Sequence, residues 1–242
     1  MADELADVER RSEGGSTYEL HRRRGPSEGG DAFDVVVDGQ VTVRSAGARV
    51  DAELVDLALA PWQTRDELTV LLAGLGMGLT LRAVLDRAQV RQVDVVEHAQ
   101  TMIDWAMGPL AQLNGGALAD KRVKVHVGEL GAFLREPGET EGNRRTGWFV
   151  VLLDTDKWPE SLSRPENVEF YHEDFLVVLE TALRPGGVLA LASARRDDEL
   201  ERRLRARFQS VARIGVPVEV DGESRLYYVY RGRRSSVGGG DG

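Results

Sequence analysis

The chain has no cysteine in its 242 residues, which excludes disulfides, thiolate metal ligands and a cysteine nucleophile. Histidine is scarce: His21, His98, His126 and His172 are scattered without HxH or HExxH spacing, so no metal site is expected. No apolar run reaches the roughly 18 residues of a membrane span, and the opening MADELADVERRSEGGS lacks the apolar core of a secretory signal. A cytoplasmic protein with no membrane partner is the expectation. Positive charge is also short, with 31 Lys+Arg against 40 Asp+Glu and a formal net charge of -9. Nucleic-acid phosphates demand a basic face, so no nucleic-acid partner is expected, and a small molecule or a protein is favoured.

Residues 1–16 and the closing RRSSVGGGDG (233–242) are Gly, Ser and charge without apolar periodicity, and both are expected to be disordered tails. Between them, residues 17–64 read as a small β region. Its segments 18–24 and 32–45 look like strands, the latter folding back at Asp38-Gly39, a dipeptide suited to a type I′ turn. From residue 65 to 232 apolar runs alternate with amphipathic stretches. Strands are expected at 68–73, 92–97, 122–127, 148–153, 187–192, 209–214 and 226–231, and helices at 78–88, 99–107, 130–136, 169–183 and 197–207. Continuous Val/Leu runs between helices imply strands buried on both faces. The fold class is therefore α/β, a doubly wound Rossmann-like sheet closed by an antiparallel hairpin, with a small N-terminal β hairpin appendage.

The stretch LLAGLGMGLTLRAVL (71–85) places Gly74, Gly76 and Gly78 between the first strand and its helix. In a doubly wound sheet this loop is where ligands bind, and glycine allows both the tight turn and close approach of a ligand to backbone N–H groups. The second strand ends at Glu97, about 20 residues further on, where an acid accepts bonds from ribose hydroxyls. Glu129 follows the third strand, where a carboxylate can accept from an exocyclic adenine amine or simply cap the next helix. Together these describe an adenosine pocket without choosing among NAD, ATP and S-adenosylmethionine. No GxxxxGK[ST] occurs and the third glycine of a strict GxGxxG is Leu79, which weakens the P-loop and NAD readings. The fourth strand ends in Asp154, Thr155 and Asp156, and alternation puts the two carboxylates at one rim. Such a pair can hold an ammonium, take a proton from a nucleophile or bind a cation; alternatively both acids cap the next segment. Trp158 is a candidate cover for a bound ligand and Tyr171 a candidate pocket wall, while His172 reads as a surface residue.

With these elements placed, residues 35–231 resemble the spermidine synthase family, a branch of the class I S-adenosylmethionine-dependent methyltransferase superfamily. VVVDGQVTV is similar to that family's DGQ hairpin, LLAGLGMGLTLRAVL to its GGGDGG loop, and VDVVEHAQTMIDWA to its VEID strand. VGELGAFL is similar to its GDA motif, VVLLDTDKWPE to its D-S-x-D-P strand end, and FYHEDFLVVLETALRPGGVLAL to its F-Y helix ending in K-P-G-G. The resemblance implies a transferase whose co-substrate is S-adenosylmethionine or decarboxylated S-adenosylmethionine, acting on a small-molecule acceptor. It also implies that Gly74, Gly76 and Gly78 line the methionine and sulfonium part, Glu97 holds the ribose, Glu129 the adenine edge, and Gln40 lies near the nucleoside. Asp154, helped by Asp156, would receive the attacking amine's proton. The family's habit of assembly points to a homodimer.

The departures are as specific. The acid that anchors the aminopropyl ammonium in the family's glycine loop is Met77 here, and the Y-H-E-x-x-x-H stretch reads DAELVDL, keeping only Glu53, with Asp51 and Leu57 in place of Tyr and His. The second acid of D-S-x-D-P aligns with Lys157, one residue after Asp156. Losing a charge-assisted bond costs about 1.5–3 kcal/mol, which sets putrescine aminopropyl transfer against two rivals. One is methyl transfer to a small molecule, since the carboxylate of intact S-adenosylmethionine suits a glycine loop without an Asp. The other is a catalytically degenerate nucleoside-binding protein.

Overall fold

In the computed structural model, residues 5–23, 31–45, 48–135, 147–154, 172–220 and 223–236 are described. Two sheets organise them. A four-stranded antiparallel sheet comprises β1 (Leu5–Glu13), β2 (Ser16–Arg23), β3 (Ala32–Val37) and β4 (Gln40–Arg44), in that order. A seven-stranded sheet follows with β5 (Leu68–Ala73), β6 (Val90–Glu97), β7 (Val123–Val127), β8 (Trp148–Leu153), β9 (Leu183–Ser193), β10 (Gln209–Val220) and β11 (Glu223–Arg233). Its order is β10-β11-β9-β8-β5-β6-β7, parallel from β9 to β7 and antiparallel at β11 and β10. This is the doubly wound α/β sheet expected, and the direction of strand order reverses at β5.

The central strands are apolar throughout because both of their faces are covered. Val70 and Leu72 of β5 and Val150 and Leu152 of β8 join one core, packed with helices α1 (Ala48–Leu59) and α2 (Leu79–Leu85). Leu71, Ala73, Val151 and Leu153 point the other way, into a second core with Phe133 and Leu134 of α4 (Leu130–Arg135), Phe175 and Leu179 of α5 (Glu173–Ala182) and Leu200 and Leu204 of α6 (Asp198–Arg207). The period of two along each strand thus sorts residues to opposite layers. A third cluster lies between the antiparallel sheet and α3 (Gln100–Met107), formed by Tyr18, Leu20, Val35, Met77, Ala99, Met102, Trp105 and Leu110.

Three features differ from the sequence expectation. Residues 5–13, expected in a disordered tail, form β1, because Gly14 (φ 59°) and Gly15 (φ 90°) close a two-residue hairpin that pairs Glu13 with Ser16. Two left-handed residues are what a type I′ turn requires, and composition alone conceals that signal. The appendage is therefore a four-stranded sheet; Asp38 (φ 50°) and Gly39 (φ 78°) form the turn between its β3 and β4. The region 17–64 also contains α1, whose Val50, Leu54, Leu57 and Ala58 recur at helical spacing and are buried. Finally, β10 and β11 run several residues beyond the expected 209–214 and 226–231 and pair along most of their length. Of the two expected tails, residues 1–4 and 237–242 lie outside the described residues.

Candidate functional site

The carboxyl ends of β5, β6, β7 and β8 open into a cleft of about 690 Å³, part of it open to solvent. Its walls include Gly74 and Gly76 after β5, Glu97 and His98 at the end of β6, Gly128 and Glu129 after β7, and Asp154 after β8. The antiparallel sheet closes the remaining side with Tyr18, Val37, Thr42 and Val43. Residue 42 reaches the cleft because it is the extra residue in a β-bulge: Val35 pairs with Val43 and Val36 with Val41.

The glycine loop leaves β5 with Gly74, Gly76 and Gly78 all in left-handed backbone, at φ 87°, 52° and 83°. At Gly78, the residue before α2, an added Cβ would also meet the Asn114 side chain at 3.0 Å. Asn114 is fully buried and is the clamp of this loop. Its Nδ2 donates to the carbonyls of Met77 (3.1 Å) and Ala106 (2.9 Å), and its Oδ1 accepts from the N–H groups of Gly116 (3.0 Å) and Ala117 (3.2 Å). Met77 itself is buried in the third cluster beneath the antiparallel sheet and is not part of the cleft wall.

Glu97 is tied to the loop directly. Its Oε2 accepts the Leu75 N–H at 2.9 Å, and its Oε1 accepts the Ala99 N–H at 2.9 Å and faces His98 Nδ1 at 3.0 Å. Burial pushes this carboxyl up, but the His98 hydrogen bond and charge and the two backbone N–H groups more than offset it, so its pKa lies below the ordinary value. His98 Nε2 in turn lies 3.3 Å from the buried Tyr18 hydroxyl. Asp154 continues the β8 ladder, its N–H donating to the Ala73 carbonyl at 2.8 Å, and its Oδ2 accepts the buried Thr80 hydroxyl at 2.5 Å. Glu129 stands exposed at the mouth, where its carbonyl accepts the Phe133 N–H at 2.9 Å as α4 begins. It therefore sits where both a base-side acceptor and a helix start would place it.

The fold thus brings together Gly74, Gly76, Glu97, Glu129 and Asp154 of the residues expected from sequence, with Gly78 in the turn behind them. Gln40 does not join them. It is the first residue after the two-residue turn, exposed at the hairpin tip, and Val37, Thr42 and Val43 face the cleft instead. Within DAELVDL, Asp51, Leu54, Val55 and Leu57 are buried in α1, and no residue of that stretch lines the cleft. Asp156, Trp158 and Tyr171 lie outside the described residues. Sequence reasoning missed Tyr18, Thr80, His98 and Asn114. His98 had a signal in its adjacency to Glu97 at a strand end; Tyr18, 80 residues away from it, had none.

A parallel sheet that gathers a glycine loop and three strand-end carboxylates around one cleft has the architecture of a Rossmann-like α/β domain. The family model described as the spermine/spermidine synthase domain matches residues 52–210, and the chain belongs to this family. Polyamine aminopropyltransferase 1 of Streptomyces coelicolor is 35% identical over 127 residues, covering 51% of this chain and 22% of that protein. Polyamine aminopropyltransferase 2 of Pseudomonas aeruginosa is 31% identical over 150 residues, covering 59% of this chain and 40% of that protein. The chain thus spans less than half the length of these curated relatives. Among solved structures, spermidine synthase from Thermotoga maritima superposes with a TM-score of 0.72 at 16% identity, over 96% of this chain and 74% of the other. A spermidine synthase in complex with the transition state analogue AdoDATO gives 0.70 at 16% identity, over 96% and 73%. At that identity these superpositions establish the fold.

Proposed function

We propose that the chain is an aminopropyltransferase that takes decarboxylated S-adenosylmethionine as donor and a small di- or polyamine as acceptor. The observation that carries this reading is the charge of the cleft. Among its described lining residues are three carboxylates, Glu97, Glu129 and Asp154, and no Lys or Arg. Intact S-adenosylmethionine brings a carboxylate that would meet no Lys or Arg among these described residues, whereas the only charges on its decarboxylated form are cationic. The names of the relatives support the same donor chemistry. Neither methyl transfer nor a degenerate nucleoside-binding role has comparable support, and Met77, the residue that favoured methyl transfer, lies under the antiparallel sheet rather than in the cleft.

In this reading Glu97 accepts the ribose hydroxyls and Glu129 the adenine amine, while the glycine loop accommodates the sulfonium end. An acceptor nitrogen attacks the aminopropyl carbon bonded to sulfur. The new C–N bond forms as the C–S bond breaks, methylthioadenosine leaves with the sulfur electron pair, and the proton shed by the new ammonium passes to Asp154. The Thr80 hydroxyl fixes the orientation of that carboxylate. Because sulfur is already a good leaving group, alignment of nitrogen, carbon and sulfur supplies most of the acceleration and proton transfer the rest. Asp156, Trp158 and Tyr171 retain their proposed places at the acceptor side on the sequence argument alone. A cytoplasmic setting and a homodimer belong to the same proposal.

Thermal unfolding of the full chain with methylthioadenosine, decarboxylated S-adenosylmethionine and S-adenosylmethionine tests it. A ligand of the folded state at 100 times its dissociation constant adds about 2.7 kcal/mol. The decarboxylated donor should stabilise more than S-adenosylmethionine at equal concentration, and mixing it with putrescine or spermidine should release methylthioadenosine. Equal or reversed preference for S-adenosylmethionine would refute the charge argument.

A further inference from the structure

We infer that His98, held by Tyr18, guards Glu97 as a positioning residue: it occupies the carboxylate oxygen that a ribose needs, and nucleoside binding displaces it. This rests on the proposed role of Glu97 as ribose acceptor. A carboxylate offers about four acceptor positions. On Oε1, the Ala99 N–H at 2.9 Å and His98 Nδ1 at 3.0 Å take two, and on Oε2 the Leu75 N–H at 2.9 Å takes a third. One position remains where two ribose hydroxyls require two. The backbone donors are fixed by the start of α3 and by the glycine loop, so the imidazole is the donor that can turn away.

Tyr18 keeps that imidazole in place through its titration. When the ring is neutral with its proton on Nδ1, Nε2 accepts from the Tyr18 hydroxyl; when protonated, Nε2 donates to it, and the hydroxyl reorients to suit. The Tyr18 ring is buried among Leu20, Val35 and Trp105, so the hydroxyl is anchored by the antiparallel sheet. Among the described residues, Glu97 of β6 and Glu13 of β1 interact with His98 by charge, Glu129 after β7 and Asp154 after β8 line the same cleft, and Val37, Thr42 and Val43 from β3 and β4 carry no charge. A protonated ring is therefore gripped by Glu97 more tightly than a neutral one. A ring turned away from Glu97 holds its proton less tightly, so binding that displaces it should release a proton and affinity should fall as the pH drops.

Calorimetric titration of the full chain with methylthioadenosine, which is uncharged in this range, reads that linkage. By this linkage, wild-type affinity should be about tenfold weaker at about pH 5.5 than at about pH 7.5. His98→Asn, which keeps a donor toward Glu97 without titrating, should bind with a flat profile, and His98→Gln should also be flat. Tyr18→Phe keeps the packing and removes only the hydroxyl, so its step should shrink to a few-fold. A flat wild-type profile, or a step that survives in both His98 variants, overturns the inference and in the latter case assigns the titration to the surrounding carboxylates. Glu97→Gln separates the two levels of the argument. If it binds as tightly as wild type, the ribose role falls and the guard with it. If it binds more than tenfold more weakly while the wild-type profile is flat, only the guard falls. Failure of the wild type to bind methylthioadenosine refutes both.

Discussion

Removing the Glu13 side chain should unfold the first turn of α3 more easily and lower global stability, although residue 13 belongs to a segment whose composition looks like a tail. Both carboxylate oxygens reach that helix: Oε1 accepts the Gln100 N–H and Oε2 the Thr101 N–H, each at 2.8 Å. The residue at the N-cap position, Ala99, has no side chain that can do this. Glu13 is therefore a cap delivered from another strand, and Arg11, two residues earlier on β1, donates to Asp104 of the same helix at 2.7 Å. Loss of a capping side chain costs about 1–2 kcal/mol, to which the carboxylate's interaction with the helix dipole contributes. For Glu13→Ala this corresponds to a fall in Tm of about 3–6 °C for a chain of this size. Burial raises the Glu13 pKa, but the Thr101 hydroxyl and N–H, the Gln100 N–H and the charge on His98 outweigh it and hold it below its ordinary 4.5. The folded value being depressed, the stabilisation is complete above pH 4.5 and is lost as the pH falls through the folded value. Urea unfolding followed by circular dichroism, on wild type and Glu13→Ala from neutral pH down to about pH 3, should show a midpoint difference that closes on acidification. Equal midpoints at neutral pH would mean that β1 does not cap α3, and a difference undiminished in acid would mean that the charge plays no part.

Asp154→Asn should lower aminopropyl transfer by roughly 10²–10⁴-fold while leaving methylthioadenosine affinity within a few-fold, as steady-state rates and calorimetry would show; unchanged turnover would remove the base assignment. Asn114→Ala removes a side-chain partner from four backbone groups, of which the Gly116 N–H keeps a second partner, the Ala111 carbonyl at 2.8 Å, and should cost about 3 kcal/mol by urea unfolding, with weaker nucleoside binding as the glycine loop loosens. Met77→Asp, which restores the family's loop acid, should destabilise the chain by at least about 2 kcal/mol and bring no gain in donor affinity, because residue 77 is 2% exposed in an apolar cluster. Tighter binding of decarboxylated S-adenosylmethionine by that variant would show that the position still faces the ligand.

Local patterns announced the large sheet and its glycine loop well. Strands β5 and β8 are apolar at nearly every position because helices cover both of their faces, and a strand with one wet face would alternate instead. Glu97, Glu129 and Asp154 were legible because a parallel sheet presents the residues at its strand ends to one rim, so order along the chain maps onto a place in space. The hidden features depend on partners distant in sequence. The charged stretch of β1 is ordered by β2 and by the α3 terminus, neither of which it predicts. Helix α1 was obscured by matching DAELVDL to a motif when its apolar spacing describes a core helix. Gln40 stands at the exposed hairpin tip, whereas the bulge in β4 accompanies two successive residues, Thr42 and Val43, at the cleft, and a bulge leaves no mark in composition.

Met77, Tyr18 and Glu13 explain one another. The antiparallel sheet lies on the glycine loop and on α3, and it needs apolar surface from both. Met77 supplies it from the loop, Met102 and Trp105 from the helix, and Tyr18, Leu20 and Val35 from the sheet. An aspartate at 77 would place a charge under β2 and β3 with no cation among the residues of that cluster, so the side chain at this position is committed to packing. The same contact carries Glu13 to the N-terminus of α3 and the Tyr18 hydroxyl to His98. In exchange for an ammonium anchor, the cleft gains a wall that touches Glu97 through one imidazole. Under the proposed function, donor recognition then falls to Glu97, Glu129 and Asp154, which makes the pH dependence of methylthioadenosine binding the point at which packing of the N-terminal sheet and chemistry at the cleft can be measured together.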